Sequence, residues 1–192
     1  KHGIYLISAD PETLKKGLEW GVSLIQYRDN TASKERVYNV CKQLQDIASK
    51  SNIPMIVNNF LDIAVLLNAD GLHTGQDDLS VNTQRQIFGE HKLIGKTTHN
   101  PDQGKQAQED GADYVSVGPI WETPSKPGRA AIGMEYLSQT NDILRIPYVA
   151  IGGIETKDRF DQVSQYNPPL TGIVRAAEHI PEWYNGTKES IT

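Results

Sequence analysis

Eight short apolar runs alternate with amphipathic segments along this 192-residue chain. The runs are rich in β-branched residues and are bounded by Gly, Pro, Asn and Asp, which is typical of buried strands. Strands that alternate with helices form a parallel sheet, and eight strands are the number that closes a barrel. The pattern predicts an α/β protein, a compact single-domain (β/α)8 TIM barrel over residues 1–192. The predicted strands are residues 4–8, 22–28, 54–58, 71–74, 93–97, 114–118, 147–152 and 171–175.

Local signals between these runs favour helices and a repeated unit. Asp10 followed by Pro11 is a helix-start signal. Segments 68–73 and 110–115 both join a helix end to a strand start through Gly and Asp, as repeated βα units do. An open doubly wound sheet is the alternative, and it is disfavoured because no Gly-x-Gly-x-x-Gly follows the first run.

The composition of the chain limits the kinds of partner that it can bind. A net charge of −5 and a pI near 5.5, with no basic stripe, argue against nucleic acid. No apolar run approaches the roughly 18 residues of a membrane span. The single Cys41 lies at helical spacing with Val37 and Leu44, so we interpret it as core, and one cysteine allows no internal disulfide. We expect a cytoplasmic protein that binds small molecules.

A stiff loop follows the sixth predicted strand. Its three prolines lack amide protons and fix φ, so the strand cannot continue through Pro119, Pro124 and Pro127. Thr123, Ser125 and Lys126 place two hydroxyls and an ammonium in this loop, which are groups that bind a phosphoryl oxygen. A solvated proline-rich loop with a surface lysine is the alternative interpretation.

Polar residues follow the predicted strands at the end where barrels carry their active sites. Arg28 can bind phosphate oxygens bidentately, and Gly152 and Gly153 allow the backbone to approach a ligand. No Ser-His-Asp or Cys-His arrangement supports covalent catalysis. The set comprises Gln26, Arg28, Asn58, Asn59, Gln76, Asp77, Asp78, Thr97, Thr98, His99, Thr123, Ser125, Lys126, Gly152, Gly153 and Arg175.

The adjacent carboxylates Asp77 and Asp78 have two interpretations. Asp78 supplies hard oxygen for a magnesium ion that would bridge phosphates. Alternatively, two aspartates before a helix act as a cap with favourable dipole placement. His73 has no metal-ligand spacing with other residues, so we interpret it as an interior hydrogen-bonded side chain.

These motifs, taken together and in order, resemble those of the thiamine phosphate synthases. The resemblance extends over nearly the whole chain, and Gly-Pro-Ile followed by Thr-x-Ser-Lys is its most diagnostic part. The motifs are QYRDN at 26–30, VNN at 57–59, ADGLHTGQDD at 69–78, GKTTHN at 95–100, GADYVSVGPIWETPSK at 111–126 and AIGGI at 150–154.

The resemblance implies a (β/α)8 enzyme that joins hydroxymethylpyrimidine diphosphate to thiazole phosphate, forming thiamine phosphate and releasing diphosphate. It implies that Mg²⁺ is held at Asn59 and Asp78, and that Arg28, Lys126 and Thr97 act on the diphosphate. A homodimer is expected by the same analogy. The implied substrate-binding residues are Gln26, Arg28, Asn30, Asn58, Thr97, Thr123, Ser125, Lys126, Gly152, Val174 and Arg175.

Three positions depart from the family pattern, which usually has Lys at 30, Asp at 59 and in many members Ser at 175; here they are Asn30, Asn59 and Arg175. Because Asn59 brings no charge, metal affinity should be lower. A catalytically silent phosphate-ligand-binding barrel is therefore one alternative. Thiazole tautomerase is the other, and it needs an acid-base His where Pro119 stands.

We predict that Lys126→Ala lowers coupling activity far more than stability. Lys126 follows an apolar run and belongs to none, so its removal leaves the core intact and deletes a charge-assisted contact of about 1.5–3 kcal/mol. Steady-state turnover and thermal unfolding of the two proteins measure the two effects. An unchanged rate would place this loop outside the site.

Overall fold

The computed structural model describes residues 2–124, 128 and 130–184, and these residues form a closed barrel of eight parallel strands. Each strand pairs with its neighbour in sequence, and β8 returns to pair with β1, where Ile4 lies opposite Thr171. The predicted (β/α)8 barrel is confirmed. The strands are β1 (Gly3–Ser8), β2 (Leu24–Tyr27), β3 (Met55–Asn58), β4 (Gly71–Thr74), β5 (Leu93–Thr98), β6 (Tyr114–Val117), β7 (Tyr148–Ile151) and β8 (Leu170–Ile173).

Helices surround this barrel, one after each strand. Two short 3-10 turns, Ser49–Ser51 and Ala177–His179, extend α2 and precede α8. The four-residue α8 was not predicted, because it is too short for a periodic apolar stripe. The helices are α1 (Pro11–Glu19), α2 (Lys34–Ala48), α3 (Leu61–Leu66), α4 (Val81–Phe88), α5 (Pro101–Glu109), α6 (Gly133–Ile143), α7 (Lys157–Ser164) and α8 (Ile180–Trp183). In the part of the chain that is described, none of them is long and apolar enough to cross a membrane.

Side-chain caps explain where most of these helices begin. The Asp10 carboxylate accepts hydrogen bonds from the amides of Glu12 and Thr13, as the sequence predicted. Ser33, Asn100 and Thr156 cap α2, α5 and α7 in the same way. Ser80 caps α4, so the interpretation of Asp77 and Asp78 as the cap of that helix is wrong.

The repeated unit at 68–73 and 110–115 has a structural cause. Asn68 and Gly111 adopt positive φ values of 49° and 87° just after a helix end, and the next amide returns to the helix in a Schellman motif. Two residues later, Asp70 Oδ2 accepts from the Met55 amide at 3.0 Å, and Asp113 Oδ2 accepts from the Ile94 amide at 2.7 Å. Each aspartate thereby ties its strand to the start of the preceding one.

Two apolar cores lie on the two sides of the sheet. The larger fills the space between sheet and helices, and it contains Cys41, whose full burial confirms it as a core residue. Burial raises the pKa of the Cys41 thiol to about 12, which makes it a poor nucleophile. The smaller core lies inside the barrel and includes Tyr5, Ile7, Ile56 and Val149. It fills the space below the carboxyl ends of the strands.

Arg85 joins three elements at the amino-terminal end of the barrel. Its guanidinium donates to the carbonyls of Gly89, Lys92 and Gly111 at 3.2, 2.5 and 3.0 Å, and to Asp113 Oδ2 at 2.6 Å. The Arg85 side chain is 13% exposed and that of Asp113 is 37% exposed, so their ion pair is partly shielded from water.

We predict that Arg85→Ala lowers the free energy of unfolding by about 2–3 kcal/mol, because it removes a charged donor from a half-buried carboxylate and from three carbonyls. The control is Lys157→Ala, which removes an exposed ion pair with Asp161 and should cost at most about 0.5 kcal/mol. Urea denaturation measures both. Equal losses would show that Arg85 contributes no more than a surface pair.

Candidate active site

A cavity of about 270 Å³ opens at the carboxyl ends of the strands. Apolar side chains such as Ile7 and Val149 line its depth, while the residues after the strands line its mouth. It brings together every predicted substrate-binding residue that the structure describes. These are Gln26, Arg28, Asn30, Asn58, Thr97, Thr123, Gly152, Val174 and Arg175. The predicted Ser125 and Lys126 lie outside the described residues.

Arg28 is the cationic group that burial affects most clearly in this cavity. It directly follows β2, and its amide donates to the Ser8 carbonyl at 3.0 Å, which fixes its backbone beside β1. Burial lowers the pKa of the Arg28 guanidinium, which nevertheless remains charged at neutral pH. Among the described residues, no acceptor is hydrogen-bonded to this side chain. A partly desolvated cation without a protein anion indicates an anionic ligand.

The loops after β2 and β3 are held by local hydrogen bonds. Asp29 Oδ1 accepts from the amides of Thr31 and Ala32, so the backbone turns immediately beside Asn30 at the cavity mouth. Asn59 adopts φ 62°, a left-handed conformation that Asn and Asp tolerate better than most residues. Its amide donates to the His73 carbonyl at 2.9 Å. Both exposed asparagines therefore have defined backbone positions.

The two predicted metal ligands differ in location. Asn59 lines the cavity, whereas Asp78 is exposed and is not one of the lining residues; it accepts from the amide of the lining residue Gly75 at 2.7 Å. The described residues contain no group of three His, Cys, Asp or Glu side chains able to hold a metal. One carboxylate and one amide oxygen fit Mg²⁺ only where substrate phosphates and water complete its shell.

The end of β5 contributes a hydroxyl and an imidazole. Thr97 Oγ1 lies 3.0 Å from His73 Nε2, and the Thr97 carbonyl accepts from Gln76 Nε2 at 2.5 Å. His73 is 8% exposed, which confirms its interpretation as an interior hydrogen-bonded side chain. His99 lines the cavity, and its Nδ1 donates to the Gly118 carbonyl at 2.6 Å. This bond joins the ends of β5 and β6.

The loop after β6 is fastened to the end of β7. The amides of Ile120 and Trp121 donate to the carbonyls of Ile151 and Gly152, both at 3.0 Å. Gly152 has φ 103°, and a Cβ there would lie 2.5 Å from Pro119 Cβ, so the close approach requires glycine. The structure thus gives Gly152 a packing role beside its place in the cavity lining.

The end of β8 carries an unexpected charge pair. Arg175 is exposed, and its Nε lies 3.8 Å from Glu155 Oε1, with both residues lining the cavity. Glu155 therefore offsets part of the positive charge that Arg175 brings to this end. Glu155 was not among the predicted site residues, although its position directly after the Gly-Gly-Ile motif indicates that it faces the mouth.

Two further lining residues, Tyr5 and Ser116, were also missed. Both lie within strands whose sequences are mostly apolar. Only the alternation of inward-facing and outward-facing side chains along a barrel strand could have identified them as cavity residues.

Fold and cavity together define a class: a (β/α)8 barrel with a polar cavity at the carboxyl ends of its strands and a partly desolvated arginine in its lining. The family model described as thiamine monophosphate synthase matches residues 4–173. The chain belongs to this family, as its motifs predicted.

Individual relatives agree with this assignment. A thiamine-phosphate synthase of Lawsonia intracellularis is 38% identical over 174 residues, covering 88% of this chain and 80% of that protein. One from Thermosynechococcus vestitus is 37% identical over 177 residues, covering 90% of this chain and 50% of that protein. The chain thus spans about half the length of that relative, and 56% of a Synechocystis relative that is 34% identical.

Solved structures support the same fold. A thiamine phosphate pyrophosphorylase from Pyrococcus furiosus superimposes with a TM-score of 0.84 at 25% identity, covering 96% of this chain and 92% of that one. An N-acetylmannosamine-6-phosphate 2-epimerase from Clostridium perfringens has a TM-score of 0.67 at 13% identity, which indicates a shared barrel only.

We predict that Arg28→Lys weakens the binding of inorganic diphosphate about tenfold, because a point charge cannot reproduce the planar guanidinium fork although net charge is kept. Calorimetric titration with diphosphate measures the affinity. Arg145→Lys is the matched control, since Arg145 is exposed and does not line the cavity. Equal affinity of the Arg28→Lys variant and the unaltered protein would mean that Arg28 does not contact the diphosphate.

Proposed function

We propose that this barrel is a thiamine phosphate synthase, which couples hydroxymethylpyrimidine diphosphate to thiazole phosphate. The observation that carries the proposal is Arg28, a partly desolvated guanidinium at the mouth of a cavity lined by amide and hydroxyl side chains. Family membership and the identity to synthases from several bacteria support the same activity.

In the proposed reaction, the main requirement is to stabilise the leaving group. The bond between the pyrimidine methylene carbon and the diphosphate oxygen breaks, and its electron pair leaves with the diphosphate. The electron-rich aminopyrimidine stabilises the resulting cation until the thiazole nitrogen lone pair forms the new C–N bond. The protein must therefore stabilise growing negative charge and keep water away from the cation.

We assign different cavity residues to these two requirements. Arg28, Thr97 and, from the sequence, Lys126 serve the diphosphate, while Gln26, Asn30 and Asn58 hold the pyrimidine diphosphate. The apolar wall of Ile7, Val149 and Ile151 keeps the interior of the cavity dry. In the proposal, a further set of residues contacts the thiazole phosphate and the departing diphosphate. These are Thr123, Ser125, Lys126, Gly152, Val174 and Arg175.

Magnesium belongs to the proposal as the ion that would bind together with the diphosphate. Asn59 and Asp78 would hold it, and it would supply charge neutralisation at the leaving group when bound. Because these residues bring a single negative charge, most of the affinity must come from the diphosphate itself.

Pro119 supports the synthase over the tautomerase of the same family. It lines the cavity at the position where the tautomerase needs its acid-base His, and a proline side chain cannot transfer a proton. The proposal also includes a cytoplasmic location and a homodimer. Cys41, a buried free thiol, is compatible with a reducing compartment, and sedimentation of the purified protein tests the assembly.

Turnover of both substrates with magnesium tests the proposed function directly. Formation of thiamine phosphate and diphosphate in equal amounts is the expected result. Binding of both phosphorylated compounds without product would instead identify a catalytically silent barrel.

We predict that Asn59→Asp lowers the magnesium concentration that gives half-maximal rate, because hard cations gain from each added carboxylate. The left-handed φ of residue 59 accommodates Asp as well as Asn, so the backbone should not change. Without magnesium the variant should be slightly less stable, since the new charge lacks a partner.

Asn30→Asp is the matched control for this change, because it adds the same charge to another exposed asparagine at the mouth. It should not lower the half-saturating magnesium concentration. If neither variant shifts that concentration, Asn59 and Asp78 do not share an ion.

A further inference from the structure

A hydrogen-bonded network of five side chains crosses the inside of the barrel. We call it the interior network: Gln26, Tyr5, Tyr114, His73 and Thr97, from five different strands. Gln26 Nε2 donates to Tyr5 Oη at 2.5 Å, and Tyr5 Oη lies 2.9 Å from Tyr114 Oη. Tyr114 Oη lies 3.1 Å from His73 Nδ1, and His73 Nε2 lies 3.0 Å from Thr97 Oγ1. All five residues are at most 8% exposed.

Every bond of this network has one donor and one acceptor when its protons point in one direction. In that direction the Gln26 amide nitrogen donates to Tyr5, and Tyr5 uses its single hydroxyl proton toward Tyr114. Tyr114 in turn gives its single proton to His73 Nδ1, which places the imidazole proton on Nε2. The Nε2–H then donates to Thr97 Oγ1. Burial raises the pKa of both tyrosines, so each hydroxyl keeps its proton at neutral pH.

In this direction the two ends of the interior network present different hydrogen-bonding groups. Gln26 keeps its carbonyl oxygen as an acceptor beside its second amide proton, and Thr97 keeps its hydroxyl proton as a donor. Both residues line the cavity. In the reverse direction Thr97 would have to donate to His73 and would present only lone pairs, which repel an anion. The forward direction suits a ligand with an amino group at one end and a diphosphate at the other.

We propose that Tyr5, Tyr114 and His73 are positioning residues that set the hydrogen-bonding direction of the two side chains at the ends of the interior network. The proposal rests on the proposed function for the identity of the ligand. Tyr114 is the clearest member of the three, because it does not line the cavity and so acts only through its neighbours.

Gly95 provides the space that the interior network needs. A Cβ at this position would overlap the Tyr114 ring and lie 2.5 Å from His73 Nδ1. The Tyr114 and His73 rings stack at 5.5 Å, and the Tyr5 and Tyr114 rings meet edge to face at 5.9 Å. Ring packing thus fixes the same geometry as the hydrogen bonds, which leaves the network no alternative rotamers without displacing these rings.

The first experiment determines the tautomer of His73 in the unaltered protein by long-range proton–nitrogen NMR correlation, at a pH above the ordinary histidine range. The His73 signals are identified by their loss in His73→Gln. A proton on Nε2 with a bare Nδ1 is expected. A proton on Nδ1, alone or with one on Nε2, would overturn the proposal.

The second experiment compares two variants that each remove one buried tyrosine hydroxyl. Tyr114→Phe interrupts the interior network, whereas Tyr136→Phe removes a 2.9 Å bond to Thr98 on the helix side of the sheet. We expect about tenfold weaker binding of inorganic diphosphate, and about tenfold lower kcat/KM for the pyrimidine diphosphate, in Tyr114→Phe only. The KM for thiazole phosphate should not change in either variant.

Equal kinetics and equal diphosphate affinity in the two variants would show that Tyr114 has a structural role only. If Tyr114→Phe does not fold, the tautomer of the unaltered protein decides the question. Neither the tautomer nor the diphosphate affinity requires turnover. A protein that shows the expected values for both but forms no product would therefore refute the proposed function and leave the interior network supported.

Discussion

The pairing of β8 with β1 is the constraint on which the rest of the structure depends. Once these strands pair in parallel, no edge remains open and all eight carboxyl ends must meet at one mouth. Residues far apart in sequence, such as Arg28 and Arg175, then line one cavity although no local signal links them. The closure also requires a barrel interior just wide enough for inward side chains. The floor of the cavity is therefore the smaller of the two cores.

Charge at this mouth is distributed unevenly. The β2 side carries Arg28, whose guanidinium is partly desolvated and has no acceptor among the described residues, while the β8 side carries Arg175 beside Glu155. An anion that enters meets a partly desolvated cation on one side and an ion pair on the other. Growing negative charge is stabilised best where the positive charge is unbalanced. This asymmetry supports the assignment of the diphosphate to the β2 side and of the thiazole phosphate to the β8 side.

Local chemistry explains why the fold was predictable from the sequence. The bounds of β4 coincide with the predicted residues 71–74, because one glycine stands at its start and another directly follows its end. What the sequence could not supply is the register between strands. Tyr5 and Tyr114 are separated by 109 positions and both belong to apolar runs, so their contact follows only from the closed sheet. The pairing of Glu155 with Arg175 likewise follows only from the closed sheet, because the two residues stand after different strands.

The interior network shows how one constraint produces both stability and a defined site. Polar groups buried inside a barrel are costly unless every donor finds an acceptor, and a half-satisfied network is worse than an apolar core. With the proposed direction, satisfying each bond in turn fixes how the terminal groups face the cavity. The energetic requirement of the fold would then determine the polarity of its binding surface. Asn30 and Asn59, both exposed at the mouth, leave this inner network unaffected, because strand pairing beneath the mouth does not depend on those two side chains.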